Sequence, residues 1–392
     1  MKKIGVMGGT FDPVHVAHLI LATSAMEKAG LDEVWFMPSK NPPHKQNKSI
    51  SADRHRLKML ELALSGYDHF KVSDLELKRE GMTYSSDTFR ILKEQFTEDR
   101  FYLIIGGDSL MQLDSWHEPE ELFRYAPILA TSRKDIDRSE VLEKTKHYVE
   151  DMGADILFFD TPDLDISSSD IRERVMYGRT VRGLVSPGVY EYIREQGLYQ
   201  DYRFQSIKRI LKEELKASRY EHTIGVAKTA FDLALAHGCD PQRAYLAGLL
   251  HDCGKAVRYS DQIATAEELG VELTDVEKAK PGALAHAKIG AKLAHTRFGV
   301  SDEEIRSAIE FHTTGKPDMT LLEKIIFVAD YIEPGREIPS DPPLSVIRLT
   351  ALTDLDRAVY LELSNMIRYL KNIGDTIDQM TIRTLEFYES KL

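Results

Sequence analysis

The feature that most limits the possible folds of this chain is a change of hydrophobic period near residue 203. Before it, short β-rich runs alternate with amphipathic helical segments, a pattern typical of a parallel sheet with helices on both faces. After it, the apolar patterns have the helical period. The sequence therefore predicts a doubly wound α/β domain over residues 1–202 and an all-α domain over residues 203–392. The β-rich runs are KIGVMG, EVWFMPS, FKVSDLEL, FYLIIGG, PILATSR and DILFFD.

Charge and cysteine content narrow the functional classes. The formal net charge is −12, whereas proteins that bind nucleic-acid backbones present clustered Lys and Arg, so we expect no nucleic-acid partner. The two cysteines, Cys239 and Cys253, cannot build a disulfide framework or a CxxC metal site. The first residues lack the apolar core of a signal peptide, and no apolar run is long enough to cross a bilayer. These features predict a cytoplasmic protein without a membrane partner.

The segment GGTFDPVHVAH follows the first predicted strand, where open parallel sheets bind ligands. Gly8 and Gly9 permit a tight turn and close approach to a ligand, and the next helix offers free N–H groups to an anion. His15 and His18 face the same side of that helix. The segment matches neither GxGxxG nor a P-loop. It predicts a phosphate site; the alternative is an ordinary strand-to-helix turn capped by histidines.

A second predicted helix start has the same character. In DISSSDIRERV, Ser167, Ser168 and Ser169 precede an amphipathic pattern with Arg172 in its first turn. Hydroxyls, free backbone N–H groups and a guanidinium together suit a phosphate group. An ordinary serine cap beside a surface arginine would give the same pattern.

With NPPHK at 41–45, TYSSDTF at 83–89 and GGDSLMQLDSW at 106–116, these segments resemble the bacterial nicotinate-nucleotide adenylyltransferases of the HxGH superfamily. The resemblance covers about residues 1–200. It departs at Ala17, where the superfamily usually has glycine, and alanine fits a helix at least as well. The resemblance implies a Rossmann-like nucleotidyltransferase fold. It also implies transfer of AMP from ATP, accompanied by Mg²⁺, to nicotinate mononucleotide.

The same resemblance implies roles for the motif residues. His15, His18 and Arg172 would be catalytic, without any protein nucleophile. The nucleotides would be held by Gly8, Gly9, Thr10, Phe11, Lys45, Asp108, Ser168 and Ser169, and the pyridine ring and its carboxylate by Thr83, Tyr84 and Trp116. Two points stay open: Trp116 could instead pack under the next helix, and the acceptor could be the amide form of the mononucleotide or another molecule such as phosphopantetheine.

The helical half carries histidines and aspartates on separate predicted helices. They are His222, His251, Asp252, His286, His312 and Asp330. A single histidine in an apolar helix is usually structural, but this set of imidazoles and carboxylates without thiolate suits an open hydrolytic metal site. Lys255, one turn after His251, can reach a phosphate.

The order His, His-Asp, His, His, Asp resembles the HD-domain phosphohydrolases. The context AYLAGLLHDCGK, HAKIGA and EFHTTGKPDM is similar to the HD-type symmetrical diadenosine tetraphosphate hydrolases, over about residues 205–392. That resemblance implies cleavage of diadenosine tetraphosphate into two ADP with one or two divalent ions, of iron, manganese or magnesium. The alternatives are another nucleotide polyphosphate as substrate, or a regulatory nucleotide-binding module. The sequence is compatible with a homo-oligomer.

By this second resemblance, His222, His251, Asp252 and Asp330 would form the metal core, with Asp252 and Lys255 also catalytic. His286 and His312 would hold a second metal or the phosphates. Lys255, Thr313 and Arg336 would bind phosphate.

Overall fold

The computed structural model describes residues 1–40, 50–131, 138–162 and 164–392. The chain divides into two compact units, Met1–Gln200 and Asp201–Leu392. Within the described ranges, the first unit carries the parallel sheet and its helices, and the second carries helices without a named strand. The fold class predicted from the change of hydrophobic period is therefore confirmed.

The first unit is built on a six-stranded sheet in the order β3-β2-β1-β4-β5-β6. Every neighbouring pair is parallel. The strands are β1 (Lys3–Gly9), β2 (Glu33–Pro38), β3 (Phe70–Val72), β4 (Arg100–Ile105), β5 (Ile128–Thr131) and β6 (Ile156–Phe159). The helices are α1 (Val16–Ala29), α2 (Asp53–Leu64), α3 (Ser85–Gln95), α4 (Gly107–Leu110), α5 (Pro119–Tyr125), α6 (Arg138–Glu150), α7 (Ser168–Met176) and α8 (Pro187–Gln196).

Two hydrophobic cores lie on opposite faces of this sheet. Along β4, Tyr102 and Ile104 join one core, whereas Phe101 and Leu103 join the other, because successive strand side chains point to opposite faces. Residues of α1, α2 and α8 complete the first core, and residues of α3, α5 and α6 complete the second. Burial on both faces explains why the strands read as continuous apolar runs.

One predicted strand is shorter than expected. The run FKVSDLEL forms strand only over Phe70–Val72, and residues 75–78 form a turn. Within that turn, the Glu76 carboxylate accepts a hydrogen bond from Thr88 Oγ1 at 2.8 Å, and Glu76 is buried. The buried acid therefore ties the chain to α3 instead of extending β3.

The second unit is helical throughout its named elements, apart from short 3₁₀ turns and a π-helical turn. Its helices are α9 (Tyr202–Glu214), α10 (Ala217–His237), α11 (Pro241–Leu250), α12 (Gln262–Glu268), α13 (Asp275–Ala279), α14 (His286–Thr296), α15 (Glu303–Glu310), α16 (Leu321–Ile332), α17 (Leu344–Ala351), α18 (Leu355–Asn372) and α19 (Gln379–Glu389). Among the described residues, no helix combines the length and the apolar character that a membrane crossing needs.

Two glycines allow very close packing where the predicted metal ligands are carried. A Cβ at Gly248 in α11 would lie 2.7 Å from Ala227 Cα in α10. A Cβ at Gly254, in the 3₁₀ turn after α11, would lie 2.1 Å from the His286 carbonyl oxygen at the start of α14. The absence of side chains at these glycines brings three ligand-bearing segments together.

We expect Gly248→Ala to lower stability by about 1–3 kcal/mol, because the added methyl group overlaps the α10 backbone. At an open helical position, the same change would raise stability by about 1 kcal/mol. Urea denaturation followed by helical circular dichroism measures the sign. A variant at least as stable as wild type would contradict the close packing.

Candidate functional site

Three helix starts meet one edge of the sheet in the first unit. Helix α1 connects the parallel strands β1 and β2, and α3 lies between β3 and β4, so each begins at the carboxyl edge, where open parallel sheets bind ligands. The start of α7 contacts the loop between β1 and α1. α1 follows β1 directly across Thr10–His15. A Cβ at Gly8 would have no atom within 4 Å, so space is open above the end of β1. At Gly9, a Cβ would lie 3.1 Å from the Phe11 ring.

The histidine pair begins α1 as a compact unit. His15 is the N-cap residue, and the two imidazole centroids of His15 and His18 lie 3.7 Å apart. The backbone N–H of His15 donates to His18 Nδ1 at 3.2 Å. Because Nδ1 accepts, a neutral His18 carries its proton on Nε2. A donor at a helix start is what a phosphate oxygen would bind.

Side chains at the start of α7 bind backbone carbonyls of the loop between β1 and α1. Ser168 Oγ donates to the Pro13 carbonyl at 2.9 Å, and Arg172 Nη1 donates to the Asp12 carbonyl at 2.6 Å. Arg172 also binds Ser169 Oγ at 3.0 Å. The helix begins at Ser168, one residue into the serine run, with Ser167 as its cap. The two predicted phosphate-binding segments are thus in direct contact.

The other side of the loop is held by buried groups that the sequence analysis did not identify. Arg56, fully buried, donates to the Thr10 carbonyl at 2.8 Å. The buried Asp12 carboxylate accepts from Tyr199 Oη at 2.7 Å and from the Ser51 backbone N–H at 3.0 Å. Burial and the Asp12 charge raise the pKa of Tyr199 above its ordinary value of 10.

These restraints explain an uncommon backbone conformation. Phe11 has φ of 51°, in the left-handed region that non-glycine residues rarely adopt. Its ring is 2% exposed and packs against His18 at a centroid distance of 5.0 Å. A strained residue persists when its surroundings fix it, and such residues concentrate at ligand sites.

The predicted pyridine subsite lies at the start of α3. Thr83 is buried, and its hydroxyl makes no hydrogen bond within the described ranges. The Tyr84 ring stacks on His117 with centroids 4.1 Å apart. Trp116 is half-buried and packs against the second core. Asp108 lies exposed in α4, directly after β4. Lys45 and the NPPHK segment fall outside the described residues.

In the second unit, the predicted metal ligands converge. Nε2 of His222 lies 2.9 Å from Asp330 Oδ1, and Nε2 of His251 lies 3.8 Å from the same atom. One ligand atom from each of these three residues lies within 4.8 Å of the others. Side chains from α10, from the C-cap of α11 and from α16 thus surround one point.

A second group shares His251. Its Nε2 lies 3.4 Å from Asp252 Oδ2, while Asp252 Oδ1 lies 3.2 Å from His286 Nε2 and 3.8 Å from His312 Nε2. His251, Asp252 and His312 can also offer one ligand atom each within 4.8 Å. Asp252 therefore directs Oδ2 toward His251, which belongs to both groups, and Oδ1 toward His286 and His312.

The contacts of Nδ1 in His251 and His312 favour a role for these two residues as metal ligands. His251 Nδ1 lies 2.7 Å from the Gly248 carbonyl, and His312 Nδ1 lies 2.6 Å from the Ile309 carbonyl. A carbonyl can only accept, so each Nδ1 carries a proton, and each Nε2, which faces the carboxylates, is the nitrogen that could bind a metal once it carries no proton. Buried Nε2 of His251 and Oδ1 of Asp252 make no hydrogen bond within the described residues. These residues fit a divalent cation.

The electrostatics agree with that geometry. Burial alone would raise the pKa of Asp252, but the surrounding His251, His286 and His312 hold it well below 3.8. The pKa of Asp330 is likewise lowered against the effect of burial, chiefly by its hydrogen bond with His222. Burial lowers the pKa of His286 to about 4, so this imidazole is neutral near pH 7.

Three cationic side chains border the two carboxylates. Arg219 Nη1 donates to Asp252 Oδ2 at 2.9 Å, and Lys255 Nζ lies 3.2 Å from Asp252 Oδ1. Arg336 Nη2 donates to Asp330 Oδ1 at 2.7 Å. Thr313 is half-buried and directly follows His312. The cations compensate the buried negative charge and supply donors for an anionic ligand.

Comparison with known proteins gives a different family for each half of the chain. The cytidylyltransferase-like family model matches residues 6–174. Across 199 residues, the chain is 42% identical to a probable nicotinate-nucleotide adenylyltransferase of Lachnoclostridium phytofermentans, covering 51% of this chain and all of that protein. The corresponding Geobacillus thermodenitrificans protein is 41% identical, with 87% of its length covered. The chain belongs to the nicotinate-nucleotide adenylyltransferase family.

The chain also contains an HD domain: the HD-domain family model matches residues 219–335. A crystal structure of a predicted HD superfamily hydrolase involved in NAD metabolism, from Clostridium acetobutylicum, is 37% identical with a TM-score of 0.46, covering 48% of this chain and 98% of that one. The structure of Plasmodium falciparum nicotinic acid mononucleotide adenylyltransferase complexed with APC is also similar, with 23% sequence identity and a TM-score of 0.42. The match covers 51% of this chain and 98% of that one.

Two further residues contact the metal-site cluster without having been predicted. Arg219 binds Asp252, and Glu333 Oε1 lies 3.1 Å from His222 Nδ1. A sequence signal existed for both: Arg219 lies three residues before His222, and Glu333 lies three residues after Asp330. That spacing places each on the same helix face as a predicted ligand.

Replacing Tyr199 with Phe should lower stability by about 1.5–3 kcal/mol at neutral pH, because the buried Asp12 carboxylate loses a donor. The raised pKa of Tyr199 means that this contribution is complete below pH about 10 and is lost as the pH rises further. Urea midpoints measured across pH should therefore converge for wild type and variant in alkali. Tyr202→Phe, at an exposed tyrosine, is the control; a constant difference between wild type and Tyr199→Phe would contradict the linkage.

Proposed function

We propose that the first unit transfers AMP from ATP to nicotinate mononucleotide, giving nicotinate adenine dinucleotide and pyrophosphate. The observation that carries this proposal is the contact between two phosphate-type helix starts, in which Ser168 and Arg172 hold the loop that leads to His15 and His18. Family membership supports the same reaction.

The reaction needs positioning and charge stabilisation, with no protein nucleophile. A phosphate oxygen of the mononucleotide forms a bond to the α-phosphorus of ATP, and the bond to the departing pyrophosphate breaks. Mg²⁺ enters with ATP as part of the substrate. The His18 imidazole would donate from Nε2 to a phosphate oxygen as negative charge develops.

Substrate recognition would use the remaining motif residues. The unpartnered Thr83 hydroxyl and the backbone around Tyr84 supply donors for a ring carboxylate, and Trp116 offers an aromatic face. Asp108 would bind nucleotide hydroxyls, and Lys45 would bind the polyphosphate. The alternative acceptor phosphopantetheine has no flat ring that could occupy this pyridine subsite. Parallel assays with the acid and amide mononucleotides separate those two acceptors.

His18→Ala should lower kcat/KM for adenylyl transfer by about 100-fold or more, because one donor to the developing charge is lost. His69→Ala, at an exposed histidine of the same unit, should retain wild-type turnover. Circular dichroism verifies folding of both variants. Wild-type turnover in folded His18→Ala would remove this residue from the reaction.

We also propose that the second unit is a metal-dependent hydrolase of nucleotide polyphosphates that splits diadenosine tetraphosphate into two ADP. The supporting observation is that Nε2 of His251 and Nε2 of His312 face the buried carboxylate Asp252, while each Nδ1 lies against a backbone carbonyl. In the proposed reaction, a water oxygen forms a bond to one of the two inner phosphorus atoms, and the central P–O–P bridge breaks.

The metal chemistry follows from the ligand set. His222, His251, Asp252 and Asp330 would hold one ion, and Asp252 with His286 and His312 would hold a second. An iron, manganese or magnesium ion bound there would polarise a phosphoryl oxygen and activate water. Arg219, Lys255, Arg336 and Thr313 would then bind the phosphate chain, since metal binding to the carboxylates releases the cations from their ion pairs.

Asp252→Ala should abolish ADP release from diadenosine tetraphosphate while leaving adenylyl transfer unchanged, because only the second unit loses its shared ligand. Asp261→Ala, at an exposed aspartate of the same unit, should hydrolyse at the wild-type rate. Unaltered hydrolysis in Asp252→Ala would refute the site. Nucleotide binding by wild type without turnover, with Mn²⁺, Fe²⁺ or Mg²⁺ present, would favour the regulatory alternative.

A further inference from the structure

We infer that Glu333 is a positioning residue for the metal site: it holds His222 so that Nε2 faces the metal position. This inference rests on the proposed function of the second unit. Glu333 Oε1 lies 3.1 Å from His222 Nδ1, on the side of the ring opposite the 2.9 Å approach of Nε2 to Asp330. A carboxylate oxygen can only accept, so His222 is protonated on Nδ1.

The Glu333 carboxylate is itself held in place by a hydrogen bond from the backbone. Glu333 is 4% exposed, and its second oxygen accepts the Gly335 backbone N–H at 2.6 Å. A buried carboxylate is costly unless hydrogen bonds satisfy it. Both oxygens of Glu333 are therefore committed, one to the backbone and one to the imidazole, and the side chain has little freedom to turn away from His222.

A glycine in the facing helix makes room for this carboxylate. A Cβ at Gly225 would lie 2.5 Å from Glu333 Oε2. Gly225 lies inside α10, three residues after His222, and glycine at such a position costs about 1 kcal/mol relative to alanine. The missing side chain at Gly225 allows Glu333 to reach the His222 ring. His222 and the space for its partner thus belong to one face of one helix.

His222 differs in this respect from two other histidines of the cluster. His251 and His312 each direct Nδ1 to a backbone carbonyl three residues earlier, at Gly248 and Ile309. His222 instead uses a side-chain carboxylate 111 positions away in the sequence. A carboxylate partner makes the opposite ring nitrogen a stronger metal ligand, and loss of such a partner typically costs 10- to 100-fold in metal affinity.

The test measures Mn²⁺ affinity of the full chain by calorimetric titration, so that it does not depend on turnover. Glu333→Gln should weaken binding by about 10- to 100-fold. The Gln amide has one oxygen, so it cannot accept from both His222 and Gly335 as Glu333 does. Glu337→Gln, the same chemical change at an exposed position four residues on, should bind Mn²⁺ as wild type does.

Gly225→Ala provides an independent variant. Alanine would ordinarily stabilise a helix interior, yet here its methyl group displaces the Glu333 carboxylate and should weaken Mn²⁺ binding in the same direction. If Glu333→Gln fails to fold, Gly225→Ala and Glu333→Asp, whose shorter side chain cannot span to His222, carry the test with the same expected loss.

The outcomes separate this inference from the metal site itself. Folded Glu333→Gln that binds Mn²⁺ within twofold of wild type would overturn the inference, even if its melting temperature falls, because such a residue would be only structural. Wild type that binds no Mn²⁺, Fe²⁺ or Mg²⁺ would instead refute the proposed metal site, and the inference with it. Loss of affinity in Glu333→Gln and Gly225→Ala, but not in Glu337→Gln, supports the inference.

Discussion

Each unit of this chain depends on a buried carboxylate that must be paired to remain buried. In the first unit, Asp12 is satisfied by Tyr199 and the Ser51 backbone, and this holds the loop between β1 and α1. In the second, Asp252 is surrounded by imidazoles and bordered by Arg219 and Lys255. The requirement is the same, but the partners differ: Asp12 is paired with neutral donors, whereas Asp252 is paired with titratable imidazoles and with cationic side chains.

The two histidine clusters use opposite ends of the imidazole. His18 accepts at Nδ1 from a backbone N–H, so a neutral His18 carries its proton on Nε2. His251 and His312 each place Nδ1 against a backbone carbonyl and therefore carry a proton on Nδ1. The local helix geometry decides which end is protonated, since a helix start offers N–H groups and the final turn offers carbonyls. The same residue type is therefore held by opposite ring nitrogens in the two units.

The sequence was sufficient to predict the fold class, because the period of apolar residues differs between strands and helices. It also identified the six side chains that form the second-unit cluster, since their residue types are uncommon in apolar helices. It did not identify Arg56 or Tyr199, whose partners lie far away in the sequence. Short-range periodicity carries no information about such pairs. The shortened β3 has a similar origin, because the burial of Glu76 depends on Thr88 in another element.

The bond between Tyr199 and Asp12 joins positions separated by 187 residues. A ribosome releases the N-terminal loop early, but the phenol that completes its hydrogen bonding emerges only at the end of the first unit. During synthesis, the loop therefore lacks this restraint until nearly the whole unit has left the exit tunnel. Truncations inside α8 would consequently remove a support of the loop at the opposite end of the unit's sequence, although they delete none of its residues.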